Sequence, residues 1–302
     1  MASRIIRTLG LLILFALPAL AASPITVRWQ PAALVNGAPV FFQVTSPSNL
    51  KSLNATWLGQ NLIFTQEANA RRWYALAGIS LKTKPGSYPL RLTGLTAAGK
   101  PLSFDRTIRI SKARYKVVVA LSVPKKFTEP DPKQLELIAH DKSLKDEAFQ
   151  KAASSQQWTG SFQPPVDAAF SDVFGTQRKF NGTVQSVHQG LDYRVPEGTP
   201  VSALNSGTVL LAQPLYFEGN CVVIDHGEGL LSLYLHLSKL SVKEGDHVDR
   251  GEQLGLSGAS GRATGAHLHL AVRWRGEYLN PATLLALHLP SDAPHAASTP
   301  AQ

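Results

Sequence analysis

Between residues 161 and 289, glycine falls at positions 175, 182, 190, 198, 207, 219, 227, 229, 245, 251, 255, 258, 261, 265 and 276. It punctuates short runs rich in β-branched residues, with a turn every 6 to 12 residues. This spacing predicts a compact antiparallel β-domain with many tight corners. The mean charged content is only 17% against 44% hydrophobic, a globular balance with ample material for a core. A wholly disordered, collagen-like or small disulfide-stapled chain is excluded.

Upstream, a second β pattern occupies residues 22–111. Apolar or aromatic runs recur from Ile25 to Trp29, Val40 to Val44, Ala55 to Leu58, Asn61 to Phe64, Arg72 to Leu76, Tyr88 to Leu92 and Phe104 to Ile110. Turn residues such as Asn36-Gly37 and Pro85-Gly86 separate them, which predicts an immunoglobulin-like β-sandwich. The segment has no histidine and no cluster that suggests chemistry, so it is expected to fold separately as a spacer or binding module. Residues 112–160 are expected to form a connector. Within it Tyr115 to Val123 reads as a strand, and one or two helices are predicted between about 132 and 154, where Asp131-Pro132 supplies an N-cap and a first-turn proline. Leu135, Ile138, Phe149 and Ala152 mark its apolar stripe.

The ends of the chain carry different signals. Arg4 and Arg7 precede an apolar run from Leu9 to Leu20, followed by Ala19-Leu20-Ala21, the layout of a secretory signal peptide over residues 1–21. No other stretch approaches the roughly 18 apolar residues of a membrane span, so none is expected after cleavage. Removing 21 of 302 residues leaves 281; Lys+Arg falls from 30 to 28 against 21 Asp+Glu, a formal charge of about +7. Such a charge suits an anionic envelope surface, whereas nucleic acid is disfavoured because the basic residues are scattered. Cys221 is the single cysteine and stands in an apolar run, so no intramolecular disulfide is possible and a buried hydrophobe is expected. Residues 290–302, rich in Pro, Ala and Ser, read as a disordered tail.

Chemistry is signalled by histidine. Six of the nine histidines (His188, His226, His236, His247, His267 and His269) fall within one 82-residue stretch. His267 and His269 lie two apart in a strand-like run, so both imidazoles project from one sheet face while Leu268 and Leu270 point the other way. His188-Gln189-Gly190-Leu191-Asp192 adds an imidazole and a carboxylate, with a glycine between them that lets the backbone turn. His188, Asp192 and one histidine of the pair supply three N/O ligands, the set of a catalytic zinc site that keeps one position open.

These segments are similar to a known family. Phe170 to Gly175 (FSDVFG), His188 to Asp192 (HQGLD), Val222 to Ser238, Val242 to Gly258, Gly261 to Val272 (GRATGAHLHLAV) and Tyr278 to Pro281 form an ordered series. In it residues 161–289 resemble the lysostaphin/LytM-type zinc metallopeptidases that cut peptide cross-bridges in bacterial peptidoglycan. The resemblance implies a duplicated-hybrid-motif type fold, one Zn2+ bound by His188, Asp192 and His269, and catalytic roles for His236 and His267. It also implies a zinc metalloendopeptidase acting by zinc-activated water, with cross-bridge peptides as partners; together with the signal peptide, a secreted enzyme exported to the periplasm, the envelope or beyond is expected. Ala266 and Leu270 depart from the residues usual in the family, and neither removes a functional side chain.

Two other readings compete. A non-catalytic LytM-like regulator of cell-wall amidases typically lacks zinc ligands, whereas all five motif positions are intact here. A biotinyl- or lipoyl-like carrier module needs an exposed lysine hairpin, commonly between methionines, and the only methionine is Met1. Three neighbours are candidates for substrate binding. Tyr234 shares a strand face with His236 by period two, with packing as the alternative. His226 is expected to position the groove rather than ligate, and Arg178 to meet a substrate carboxylate unless it is an ordinary surface arginine. Oligomeric state and the identity of the cross-bridge are not legible.

Overall fold

The computed structural model describes residues 25–68, 71–115, 119–182 and 184–291; the expected signal peptide and most of the expected tail lie outside them. The first part of the chain forms two facing sheets. One has four strands in the order Thr26–Gln30, Pro39–Thr45, Arg72–Gly78, Thr65–Gln66. The other has five, Leu34–Val35, Pro101–Ser111, Gly86–Thr96, Leu50–Trp57 and Gln60–Ile63. Alternation selects the inward side chains: Leu53, Ala55 and Trp57 are buried between more accessible neighbours, and a register shift between Leu50 and Ser52 accounts for the extra residue before Leu53. Phe42 of one sheet meets Trp57 of the other edge to face, with ring centroids 5.0 Å apart.

The second part is built on an eight-stranded sheet, and every pair in it is antiparallel. Its order runs Phe170–Asp172, Gly190–Tyr193, Leu268–Trp274, Leu230–Leu237, Gly219–Asp225, Gly207–Leu215, His247–Val248, with Glu277–Leu279 pairing Leu268–Trp274. The two faces of this sheet do different things. Leu191, Tyr193, Val222, Ile224, Tyr234, Leu268, Leu270 and Val272 enter a core that is continuous with that of the first part. Leu211, Val223, Leu231, Leu233 and Ala271 lie on the other face. There they meet Leu144, Ala148, Phe149 and Ala152 of a helix and its C-terminal exit.

That helix spans Pro132–Gln150, capped by Asp131, whose side chain accepts the Gln134 N–H while Gln134 reaches back to the cap backbone. The predicted apolar stripe packs only in its second half: Phe149 and Ala152 join the cluster on the sheet, whereas Leu135 is 53% exposed. Cys221 is fully buried beneath the second half, where burial pushes its thiol pKa well up. Residues 112–160, expected as a connector, also supply the strand Val119–Leu121, which runs parallel to Gln177–Phe180 and extends a small sheet with Val184–Val187. Among the described residues no helix is long and apolar enough to cross a membrane.

Candidate active site

A cleft of about 640 Å³ opens on the helix-bearing side of the large sheet. Strand register assembles its floor. Asp192 lies directly opposite His269, and His269 is in turn opposite Leu235 on its other side, so three neighbouring strands present these side chains in one row. Their chain neighbours Leu191, Leu268, Leu270 and Tyr234 point into the core. The alternation expected for His267 and His269 is therefore what buries Leu268 and Leu270 completely.

His188 arrives from a loop that is tied down by backbone. Its N–H donates to Thr176 O at 2.8 Å, and its carbonyl accepts the Gly175 N–H at 2.8 Å. Its ring Nδ1 lies 2.9 Å from Val173 O, so Nδ1 carries the proton and Nε2 presents a lone pair. That Nε2 stands 3.1 Å from Asp192 Oδ1 and 3.1 Å from His269 Nδ1, and His269 Nδ1 is 2.7 Å from the same Oδ1. Three electron-rich atoms thus converge within one small space, an arrangement that needs a cation. A tetrahedral shell with zinc bonds of 2.0–2.1 Å has edges of about 3.3 Å, close to the triangle seen here. Two imidazoles, one carboxylate and an open side toward the cleft fit zinc.

Gly190 has a reason other than the turn expected of it. It begins a strand without a left-handed backbone, and a Cβ there would fall 2.4 Å from His269 Nε2 and 2.5 Å from Leu270 O. Glycine makes room for the imidazole. Arg178 is also reassigned. Its guanidinium donates to Asp172 Oδ2 at 2.6 and 2.8 Å and to Asp192 Oδ2, so it braces the trio instead of facing substrate. Asp192 therefore turns one oxygen to Arg178 and the other to the histidines. Burial opposes its ionisation, but its contacts with the two imidazoles outweigh burial and hold its pKa far below the usual carboxylate range. Burial lowers the His269 pKa to about 4, which keeps the ring neutral at pH 7.

His236 and His267 stand beside the trio, with ring centroids 4.8 Å apart; His236 is 6.0 Å from His269, and His267 Nε2 is 3.9 Å from Asp192 Oδ1. Each has its Nδ1 on a backbone carbonyl, Ser260 O for His236 and Gly265 O for His267, both at 2.8 Å. Each therefore leaves Nε2 as a proton acceptor. Burial, helped by the neighbouring imidazoles, lowers the His236 pKa to about 3. His236 has φ of 64°, a left-handed conformation that a β-strand residue rarely adopts. This resets the alternation of Leu230–Leu237: Leu233 and Leu235 line the cleft, and His236 joins them instead of following Tyr234 into the core.

Tyr234 and His226 are accordingly corrected. Tyr234 is fully buried, its hydroxyl accepting the Leu204 N–H at 2.8 Å and the Ser232 hydroxyl at 3.1 Å, because its strand face is the core face. His226 is fully buried between Ser206 O and Ser232 Oγ, both at 2.8 Å, with its ring edge-on to Phe162. Neither lines the cleft. Sequence reasoning passed over Asp172, the partner of Arg178, although it stands in the quoted FSDVFG segment. Tyr278, Phe217, Glu218 and Arg262 also line the cleft.

Known proteins place this geometry. The profile of Peptidase family M23 matches residues 186–281. The peptidoglycan DD-endopeptidase ShyA of Vibrio cholerae is 42% identical over 119 residues, 38% of this chain and 28% of ShyA. The DD-carboxypeptidase/endopeptidase Mpg of Neisseria meningitidis is 37% identical over 124 residues, 41% of this chain and 29% of Mpg. The chain thus aligns with less than a third of the length of these curated relatives. A crystal structure from Pseudomonas aeruginosa assigned to peptidase M23 is matched far more fully. It is 30% identical, with a TM-score of 0.61, and the match covers 83% of this chain and 94% of that one. So wide a match extends beyond either domain alone, and the chain belongs to peptidase family M23.

Proposed function

We propose that this protein is an exported zinc endopeptidase that hydrolyses the peptide cross-links of peptidoglycan in the cell envelope. The carrying observation is the convergence of His188 Nε2, Asp192 Oδ1 and His269 Nδ1 beside two imidazoles that are outside the trio and keep Nε2 free. The named endopeptidase relatives support the substrate class. The basic N-terminal segment followed by an apolar run supports export.

His188, Asp192 and His269 would hold the zinc, which supplies a Lewis acid that acidifies water and polarises the scissile carbonyl. Val173 O fixes the His188 tautomer, and Arg178 fixes the carboxylate of Asp192, so the ligands are oriented in advance. His236 and His267 divide the proton traffic. One Nε2 accepts the proton of the attacking water, and that same proton, returned by this ring or handed on through the other, goes to the leaving amine. Their Nδ1–H bonds to Ser260 and Gly265 hold both rings toward the same space throughout.

The test separates ligation from proton transfer. Asp192→Ala is expected to lower zinc content and cleavage of cross-linked muropeptides together. His236→Ala is expected to keep zinc and fold while turnover falls by roughly 10²–10⁴. Metal content, thermal melting and muropeptide release are measured on the same preparations. A His236→Ala protein that loses zinc as fully as Asp192→Ala, or that turns over at the wild-type rate, refutes the assignment.

A further inference from the structure

The acids lining the cleft are already engaged. Asp172 and Asp192 share Arg178, and Glu218 pairs with Lys145. The cations lining it are not equally spent. Arg178 is consumed by those two carboxylates, and Arg194 is exposed at the rim. Arg262 differs from both. Its guanidinium carbon lies 4.8 Å from the Phe180 ring centroid and 4.5 Å from that of Phe217. Among the described residues, no side-chain hydrogen bond or ion pair engages it. Burial and the nearby Arg178 oppose its charge, and the acid that favours it, Glu218, is held by Lys145.

The position of Arg262 is set by the same loop that aims the catalytic pair. Ser260 O receives the His236 Nδ1–H, and Arg262 N donates to Phe217 O at 2.9 Å. Gly261, at φ 72°, lies flat on the opposing hairpin turn, where a Cβ would come within 2.3 Å of Gly219 N and 2.6 Å of Phe217 O. Farther along, His267 bridges to Gly258. A guanidinium stacked on aromatic rings keeps its edge N–H groups free and loses little entropy on pairing. Such a group matches a carboxylate in planar, bidentate geometry.

We propose that Arg262 binds a free carboxylate on the peptide beside the scissile bond, so that the enzyme selects acidic cross-linked peptides over neutral ones such as glycine bridges. The proposal rests on the peptidase reading above and adds its substrate class. A cleft whose acids are neutralised and whose remaining cations are unclaimed favours an anionic peptide.

The test uses the zinc-loaded full chain and two synthetic cross-linked peptides that differ only in whether the carboxylate next to the scissile bond is free or amidated. Wild type is expected to prefer the free acid by roughly 10–100-fold in kcat/KM, the range of a hydrogen-bonded charge pair. Arg262→Met, which keeps packing volume between the rings, is expected to bring that ratio close to one through KM while retaining zinc. Arg262→Lys is expected to restore part of the preference. Equal cleavage of both peptides by wild type overturns the proposal, as does an Arg262→Met protein with normal zinc that loses both substrates in equal proportion. If zinc-loaded wild type cuts neither peptide, it is the peptidase reading that fails. Calorimetric titration of the same two peptides then decides on Arg262: tighter binding of the acid by tenfold or more sustains it, and equal binding overturns it.

Discussion

The site depends on a residue with no side chain. Gly190 precedes the ligand Asp192 by two positions, and any Cβ there enters the His269 ring and the Leu270 carbonyl. Gly190→Ala is expected to weaken zinc binding and destabilise the fold by roughly 1–3 kcal/mol, the usual cost of overpacking; competition with a chelator and denaturant titration check both. A wild-type zinc affinity in that variant would show that the ring shifts without penalty. His226 gives a pH-dependent prediction away from the metal. Burial lowers its pKa to about 4, while the unfolded chain keeps about 6.5. Between those values the unfolded state binds more protons, so stability falls as pH falls from about 6.5 to about 4, by up to about 3 kcal/mol in all. Thermal melts of wild type and His226→Gln across that window check it: wild type is expected to show the steeper loss. Residue chemistry pointed to His188, Asp192 and one of the pair His267 and His269, because metal ligation accepts few side-chain types at set spacings, whereas the choice within the pair and the role of His236 came only with the family resemblance. The partners of Arg178 and His226 were not, because an arginine or histidine reads the same in sequence whether it meets a substrate or a buried oxygen.

At the scale of elements, period two located most strands, and Asp131-Pro132 located the helix start because caps act over a few residues. What escaped was the effect of one backbone angle. The positive φ of His236 shifts the strand's face and separates His236 from Tyr234, and no residue type at that position announces it. The helix stripe misled at Leu135 for a different reason, since periodicity marks a face without saying what covers it. The second half of the helix is fixed by a polar anchor as well as by packing: Asp141 is buried, and its carboxylate accepts the Tyr216 N–H at 2.6 Å. Asp141→Ala is expected to cost about 1–3 kcal/mol by leaving that N–H unpaired. Denaturant melts together with hydrogen exchange at Tyr216 measure it. A change under half a kcal/mol would mean that water replaces the carboxylate.

For the molecule as a whole, composition and turn spacing separated two β regions but could not show that they share a core. Gly78 of the first region lies flat against Trp274 and Leu279, which are 2% and 0% exposed. Trp158, from the expected connector, packs between Tyr74 of the first region and Phe162 of the second, with centroids 6.0 and 5.9 Å away. Polar ties cross the same seam: the Ser80 hydroxyl donates to Glu277 at 2.7 Å, the Asn280 N–H to Gly37 O at 2.8 Å, and Gln30 exchanges two hydrogen bonds with His288. The sequence expectation of a separately folding residue 22–111 unit meets a physical obstacle here. Removing it uncovers Trp158, Trp274 and Leu279, each worth roughly 1.5–3 kcal/mol of burial, a large part of the 5–15 kcal/mol that holds a typical domain. A chain beginning at residue 112 is therefore expected to aggregate or melt far below the full chain, and to lose zinc because its cleft is unsupported. The full chain is expected to unfold in one calorimetric transition. Two well-separated transitions, or a truncated chain that stays monomeric with zinc bound, would show that the seam is a contact between independent units after all.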